Sequence, residues 1–235
     1  MKKYLILLLV FILITNISFA QKRVLIENLP GFDYKRFHYG FVLGLNKMDF
    51  AIKPMQDFKQ FDSLFTLQSA SNWGFDIGIV SNMRLNQYFD LRFIPTLSFG
   101  DRNLIYKLAY KDSIIYNETK KVESTLLEFP FLLKYKSARL TNVRAYVVGG
   151  AKYSIDLASK QGKKDQSEVL IKLRKHDFAF ELGVGFDFYL EYFKFATELK
   201  MSYGIKDLLI RDQTIYTNPF DRLTSKSMMI SFLFE

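Results

Sequence analysis

FAFELGVGFDF, at residues 178–188, alternates between two kinds of side chain along its whole length. Phenylalanine, leucine and valine occupy the even positions, whereas the odd positions hold alanine, glycine and the carboxylates Glu181 and Asp187. A period of two indicates a β-strand with two different faces. The stretch also reaches the ~9–11 residues that a tilted membrane-spanning strand needs. It therefore predicts one strand of a transmembrane barrel.

Seven further segments repeat this alternation. With the first, they predict strands at 37–46, 73–80, 89–99, 127–135, 144–156, 178–188, 193–204 and 227–235. A few residues join the second strand to the third, the fourth to the fifth and the sixth to the seventh, whereas the other connections are polar and about twenty residues long. Such connections are typical of outer-membrane proteins. The prediction is an all-β fold: an eight-stranded antiparallel up-and-down transmembrane β-barrel with short periplasmic turns and long extracellular loops.

Composition excludes several classes of site. The 235 residues include no cysteine and two histidines, which rules out disulfides, iron–sulfur clusters, cysteine-based zinc sites and multi-histidine metal centres. No cofactor is predicted. Beyond the N-terminus no run of 18 apolar residues predicts a membrane-spanning helix.

The N-terminus has the pattern of an export signal. Lys2 and Lys3 precede an apolar run, and Ser18-Phe19-Ala20 places small residues before a cleavage point. We expect a signal peptide at 1–20, a periplasmic N-terminal segment at 21–35, and a barrel at 36–235. The expected location is the cell outer membrane.

The volume of the side chains decides which face points inward. A soluble barrel of the lipocalin kind has its apolar face inside, but the phenylalanine, leucine and tyrosine face is too bulky for a narrow interior. Glycine and charges of both signs suit a tight polar interior without an aqueous channel, which argues against a diffusion porin. The predicted barrel-interior polar network consists of Asp76, Asp90, Arg92, Glu128, Lys134, Arg144, Lys152, Glu181, Asp187, Lys194, Glu198 and Lys200, with Arg84 and Asp156 also facing inward.

Two predicted external loops are basic. The loop at 157–177 carries Lys160, Lys163, Lys164, Lys172, Arg174 and Lys175, and the loop at 101–122 carries Arg102, Lys107, Lys111, Lys120 and Lys121. A basic rim on the cell exterior favours lipopolysaccharide phosphates or an acidic protein partner, although a solvated loop gives the same pattern. Nucleic acid and small-molecule substrates are not expected.

A catalytic function remains an alternative. His176 lies near Asp177 and Ser167 at the end of a predicted loop, where a lipid-modifying barrel enzyme would place its residues. His38, at the start of the first strand, is a weaker candidate. A further alternative is a small adhesive barrel that binds surface ligands through its loops.

Five stretches resemble the PorT family of Bacteroidetes outer-membrane barrels. They are YFDLRFIPTLSFGDR (88–102), ESTLLEFPFLLKYKSARL (123–140), DLASK (156–160), FKFATELKMSYG (193–204) and DRLTSKSMMISFLFE (221–235). The resemblance implies a role in the type IX secretion system, with outer-membrane lipid and other secretion components as partners. It supplies no catalytic or ligand-binding residues. Because a filled barrel of this size cannot pass folded cargo, the expected role is that of an accessory component.

Overall fold

The computed structural model describes residues 26–55, 64–110, 114–159, 171–211, 217 and 219–235. A short 3-10 turn at Phe32–Tyr34 precedes nine strands. These are β1 (Phe37–Pro54), β2 (Leu64–Arg84), β3 (Phe89–Phe93), β4 (Thr96–Tyr110), β5 (Ile114–Lys136), β6 (Val143–Asp156), β7 (His176–Tyr189), β8 (Lys194–Gly204) and β9 (Phe220–Phe234). None of the helical residues within these ranges forms a helix long and apolar enough to cross a membrane. The predicted signal peptide lies outside the described residues.

The strands form a closed eight-stranded barrel. β3 and β4 are two parts of one barrel strand, interrupted at Pro95, because proline has no N–H for the ladder. All neighbours pair antiparallel, and β1 pairs with both β2 and β9. Glycine allows the strands to meet closely at this last seam, since a Cβ on Gly40 would lie 2.0 Å from the Phe234 carbonyl oxygen. The predicted fold class is confirmed.

The bulky apolar face of the strands points outward. In β7 Leu182 is 71% exposed, whereas Glu181 is 3% exposed. The apolar stretch 178–188 spans about 33 Å along the strand at ~3.3 Å per residue. At a tilt of about 45° this gives a band about 23 Å tall, close to the ~25 Å band of outer-membrane barrels. The lipocalin-like alternative, which would bury this face, is excluded.

Five strands continue outward beyond the apolar band. We call this extension the upper barrel, and it comprises residues 48–54, 64–72, 100–110, 114–126 and 220–227. The prediction that 101–122 forms a loop was wrong, since β4 and β5 pair from Thr96 and Glu128 to Tyr110 and Ile114. In the membrane the interior is polar and the outer face is apolar. Above it the outer face meets water, so the pattern reverses.

The reversed pattern gives the upper barrel an apolar core. Leu104 and Tyr106 point inward and are fully buried, whereas Lys121 and Asp101 form an exposed ion pair of 3.0 Å. The core consists of Phe50, Leu104, Tyr106, Ile171, Leu173, Leu208, Leu209, Phe220 and Leu223. Two of these, Leu173 and Leu209, form a β-bridge between the connections that follow β6 and β8. The outer end of the barrel is therefore filled by apolar side chains.

Candidate functional site

The predicted interior network lies inside the barrel, where each of its residues is at most 8% exposed. Arg92 on β3 stands at its centre. Its Nη1 lies 2.7 Å from Glu198 Oε2 on β8, across the interior, and its Nη2 lies 3.6 Å from Glu235 Oε1. Arg92 and both glutamates have fully buried side chains. Buried charges are tolerated only when they are paired, and this arrangement pairs them across the barrel.

Further ion pairs surround Arg92 on the periplasmic side. Lys134 Nζ lies 2.7 Å from Asp187 Oδ2, and Lys194 Nζ lies 2.6 Å from Glu235 Oε2. Lys134 also lies 3.6 Å from the ring centroid of Tyr146, which adds a cation–π contact. These contacts join β5, β6, β7 and β8 at one level.

A second group of charges lies nearer the outer end. Lys152 Nζ lies 2.8 Å from Glu128 Oε1 and 3.1 Å from Glu181 Oε1. Lys200 Nζ lies 3.9 Å from Glu181 Oε2 and 3.5 Å from Glu198 Oε1. Because Glu198 also pairs with Arg92, the two groups form one continuous network.

Sequence reasoning misplaced Arg102. Arg102 was predicted in an external loop, but it lies on β4, is 3% exposed, and pairs with Asp156 at 3.7 Å. Arg84, which was predicted to face inward, is opposite Asp90 in the β2–β3 register, and its Nε donates a hydrogen bond of 3.3 Å to the Asn86 carbonyl in the following turn. Lys136, which was not identified, pairs with Asp90 at 2.6 Å. Lys136 lies two positions after the inward-facing Lys134, so continuing the alternation of β5 would have predicted that it faces inward.

The interior holds little free space. Between Asn46, Ser98, Arg102 and Lys152 the cavity measures about 20 Å³, which is enough for about one water molecule. Asn46 is itself buried and donates to Asp76 Oδ1 at 2.6 Å. Among the described residues, no group of three or more histidine and carboxylate side chains could hold a metal ion. The interior is a packed polar core.

The residues before β1 cover the periplasmic end. Arg144 donates two hydrogen bonds, of 3.0 and 2.9 Å, to the carboxylate of Asp33 in the 3-10 turn. The Tyr189 hydroxyl donates a third, of 3.0 Å. The Asn28 side-chain N–H donates a hydrogen bond of 3.0 Å to the Tyr189 carbonyl. The His38 ring stacks on the ring of Phe32. We call residues 26–36 the periplasmic cap.

The cap is expected to loosen in acid. Partial burial raises the pKa of Asp33, but the hydrogen bonds and charge of Arg144 outweigh this, and the pKa lies below the ordinary value of 3.8. A carboxylate with a depressed pKa stabilises above that ordinary value, and the stabilisation is lost as pH falls through the lowered pKa. Hydrogen-exchange protection factors for 26–36, which correct for intrinsic rates, should be constant from pH 7 to about 4.5 and fall below pH 4.

Asp33→Asn tests the same contact at neutral pH. We expect roughly fivefold lower protection of the cap, about 1 kcal/mol for a partly buried ion pair. Lys35→Gln, at an exposed neighbouring position, is the control and should leave protection unchanged. Equal protection in Asp33→Asn and the unmodified protein would contradict the assigned role of this pair.

The residues of the possible catalytic site are separated. His176 Nδ1 lies 2.7 Å from the Tyr153 hydroxyl on the outer surface. Asp177 follows on the opposite face of β7, where its carboxylate accepts a hydrogen bond from Ser225. Ser167 lies outside the described residues. His176 therefore has a tyrosine neighbour, and Asp177 does not orient its ring.

The predicted basic loop is described only in part. Lys160, Lys163 and Lys164 lie outside the described residues. Lys172, Arg174 and Lys175 lie in the connection between β6 and β7, and Arg174 and Lys175 are exposed. The Arg174 backbone N–H donates to the Leu208 carbonyl at 2.8 Å, which holds this connection over the outer end.

Comparison with known proteins agrees with this architecture. Residues 19–209 match the family model for the outer membrane protein beta-barrel domain. The chain belongs to this family. As an outer membrane protein beta-barrel domain protein, it resides in the cell outer membrane. No curated protein matches the chain.

Three solved structures are similar to this outer membrane protein beta-barrel domain. Neisserial surface protein A is 11% identical, with a TM-score of 0.41, over 85% of this chain and 98% of its own. The outer membrane protein OprG from Pseudomonas aeruginosa is 11% identical, with a TM-score of 0.43, over 89% and 96%. The N-terminal β-barrel domain of Pseudomonas aeruginosa OprF is 16% identical, with a TM-score of 0.31, over 82% and 96%.

Proposed function

We propose that this outer-membrane barrel is a non-enzymatic accessory component of type IX protein secretion, the export of cargo with C-terminal signal domains. Support comes from the stretches that resemble the PorT family. Four of them, at 88–102, 123–140, 193–204 and 221–235, lie on β3–β5 and on β8–β9. Arg92 and Glu198, which join these two sides of the barrel, both belong to these stretches.

The filled interior is the observation that carries the accessory role. A folded domain of 100 residues has a radius of gyration of about 13 Å. The cavity beside Asn46, Arg102 and Lys152, about 20 Å³, is far too small for such cargo. The apolar core closes the outer end, and the periplasmic cap covers the other. Any contribution to secretion must therefore come from the outer surfaces of the barrel.

The upper barrel is the surface best suited to a protein partner. It extends the strands beyond the apolar band and is stiffened by its own core around Leu104 and Tyr106. A rigid surface loses less conformational entropy on binding than a flexible loop does. Other components of the secretion machinery are the proposed partners, and outer-membrane lipid and lipopolysaccharide surround the wall.

Deletion in the native host tests this function. Proteomics of the periplasm and the culture supernatant should find C-terminal-signal cargo retained in the periplasm, and the intact gene should restore its export. Complementation with His176→Ala should restore export equally, because no catalysis is proposed. Export that is unchanged by the deletion would overturn the secretion role.

The same strains separate the alternatives. A lipid-modifying enzyme predicts an altered lipid A mass spectrum in the deletion strain, restored by the intact gene but not by His176→Ala. The exposed Tyr153–His176 contact of 2.7 Å is the feature that keeps this alternative testable. An adhesive barrel predicts weaker attachment to surfaces with export intact.

A further inference from the structure

An apolar groove runs along the membrane-facing wall over β6, β7 and β8. Its volume is about 830 Å³. Small residues form one side, because Gly149 and Ala151 of β6 stand opposite Leu182 and Phe180 of β7. Tyr203 of β8, the partner of Phe180, lines the groove at the outer end of that strand. The groove exists because Gly149 and Ala151, which point outward from β6, have no large side chains to fill it.

Two lysines lie at the outer end of this groove. Lys206 Nζ lies 4.4 Å from the ring centroid of Phe178, and Lys226 Nζ lies 5.8 Å from that of Tyr203. Both lysines are exposed. They lie where the apolar outer face of β9 ends. Met228 is the last apolar residue of that face, and Lys226 and Thr224 follow it toward the exterior.

Neither of these ammonium groups forms an ion pair with a described residue. Neither lysine has a carboxylate of the described residues within 4.0 Å. Asp49 is opposite Lys226 in the β1–β9 register, but its Oδ1 accepts hydrogen bonds from the Phe50 N–H, at 2.8 Å, and from Ser69. Two cations thus remain available at the boundary between the membrane and the exterior.

We infer that this wall binds a phosphorylated glycolipid of the outer leaflet, of the lipid A type. One acyl chain lies in the groove beside Gly149 and Ala151, and a headgroup phosphate contacts Lys206 and Lys226. The groove supplies van der Waals packing for an acyl chain, and the lysines supply charge complementarity at the level of the headgroups. The two features are continuous through Tyr203. This site does not depend on the proposed role in secretion.

Native mass spectrometry of the full chain in detergent tests the site. The probes are bis-phosphorylated lipid A, the same lipid without its phosphates, and phosphatidylglycerol. The intact protein should retain bis-phosphorylated lipid A at least tenfold more tightly than either other lipid. Lys206→Gln with Lys226→Gln should abolish that preference, and Lys206→Arg with Lys226→Arg should keep it.

Two more variants separate the groove from general effects. Ala151→Leu fills the groove and should weaken retention of bis-phosphorylated lipid A at least tenfold. Lys121→Gln removes an exposed lysine at the same end of the barrel but on β5, and should leave retention unchanged. Equal retention of the phosphorylated and dephosphorylated lipids, or of phosphatidylglycerol, would overturn the inference. So would unchanged retention in the double glutamine variant when heat-modified gel migration indicates a folded barrel.

Discussion

Replacing Arg92 with methionine is expected to lower the free energy of unfolding by about 3–5 kcal/mol, because two buried carboxylates lose the cation that they share and keep only one lysine each. Glu198 loses its 2.7 Å partner, and Glu235 keeps only Lys194. Methionine fills much of the volume of arginine. The loss of stability therefore comes from the missing charge and not from a cavity. Urea unfolding in lipid vesicles, followed by the fluorescence of Trp73, the single tryptophan, measures the change.

Two further variants identify the cause of that loss. Arg92→Met combined with Glu198→Gln removes both charges of the pair and should recover more than half of the stability. Lys121→Met breaks the exposed pair with Asp101 and should cost less than about 1 kcal/mol. A single Arg92→Met variant as stable as the unmodified barrel would mean that the central pair contributes nothing to folding.

Leu182→Arg is expected to destabilise the barrel by about 2–4 kcal/mol, the cost of arginine near the middle of the lipid-facing wall. Leu182 is near the centre of the apolar stretch 178–188 and is 71% exposed. Replacing a leucine that is exposed to water by arginine costs little. A large loss of stability at this position is therefore expected only if lipid hydrocarbon surrounds it. The same fluorescence measurement in vesicles gives the free energy.

Tyr39→Arg is the matched control for position in the bilayer. Tyr39 also points outward and is 67% exposed, but it lies at the periplasmic end of β1. Arginine near the interface costs about 0–1 kcal/mol. Equal losses for the two variants would be inconsistent with the assigned apolar band.

Alternation along the strands was enough to predict the membrane-spanning part of the fold. The bulky face of 178–188 could not fit inside a narrow barrel, so packing volume predicted that Glu181 and Asp187 point inward, as they do. The same reasoning placed Arg92 and Glu198 in the interior. It did not identify them as partners, because the chain positions are 106 residues apart and the stagger of the barrel determines which side chains meet.

There is a physical reason why the sequence did not predict the upper barrel. An apolar outer face and a polar inner face are typical of a barrel strand only where lipid surrounds it. Above the membrane water replaces lipid, so Leu104 and Tyr106 point inward and Asp101 and Lys121 point outward. If the apolar face is allowed to change from the outside to the inside, the alternation extends β4 and β5 and places Arg102 inside. The position in each strand at which the apolar face changes from the outside to the inside marks the boundary of the membrane.

The periplasmic cap also constrains the order in which the protein assembles. Asp33 belongs to the beginning of the described chain, whereas Arg144 and Tyr189 lie 111 and 156 residues further on. The cap therefore cannot form until β6 and β7 are in place. A barrel arrested with only its first strands inserted would leave residues 26–36 accessible to proteases and chaperones. Closure of this end accordingly reports that most of the barrel has been built.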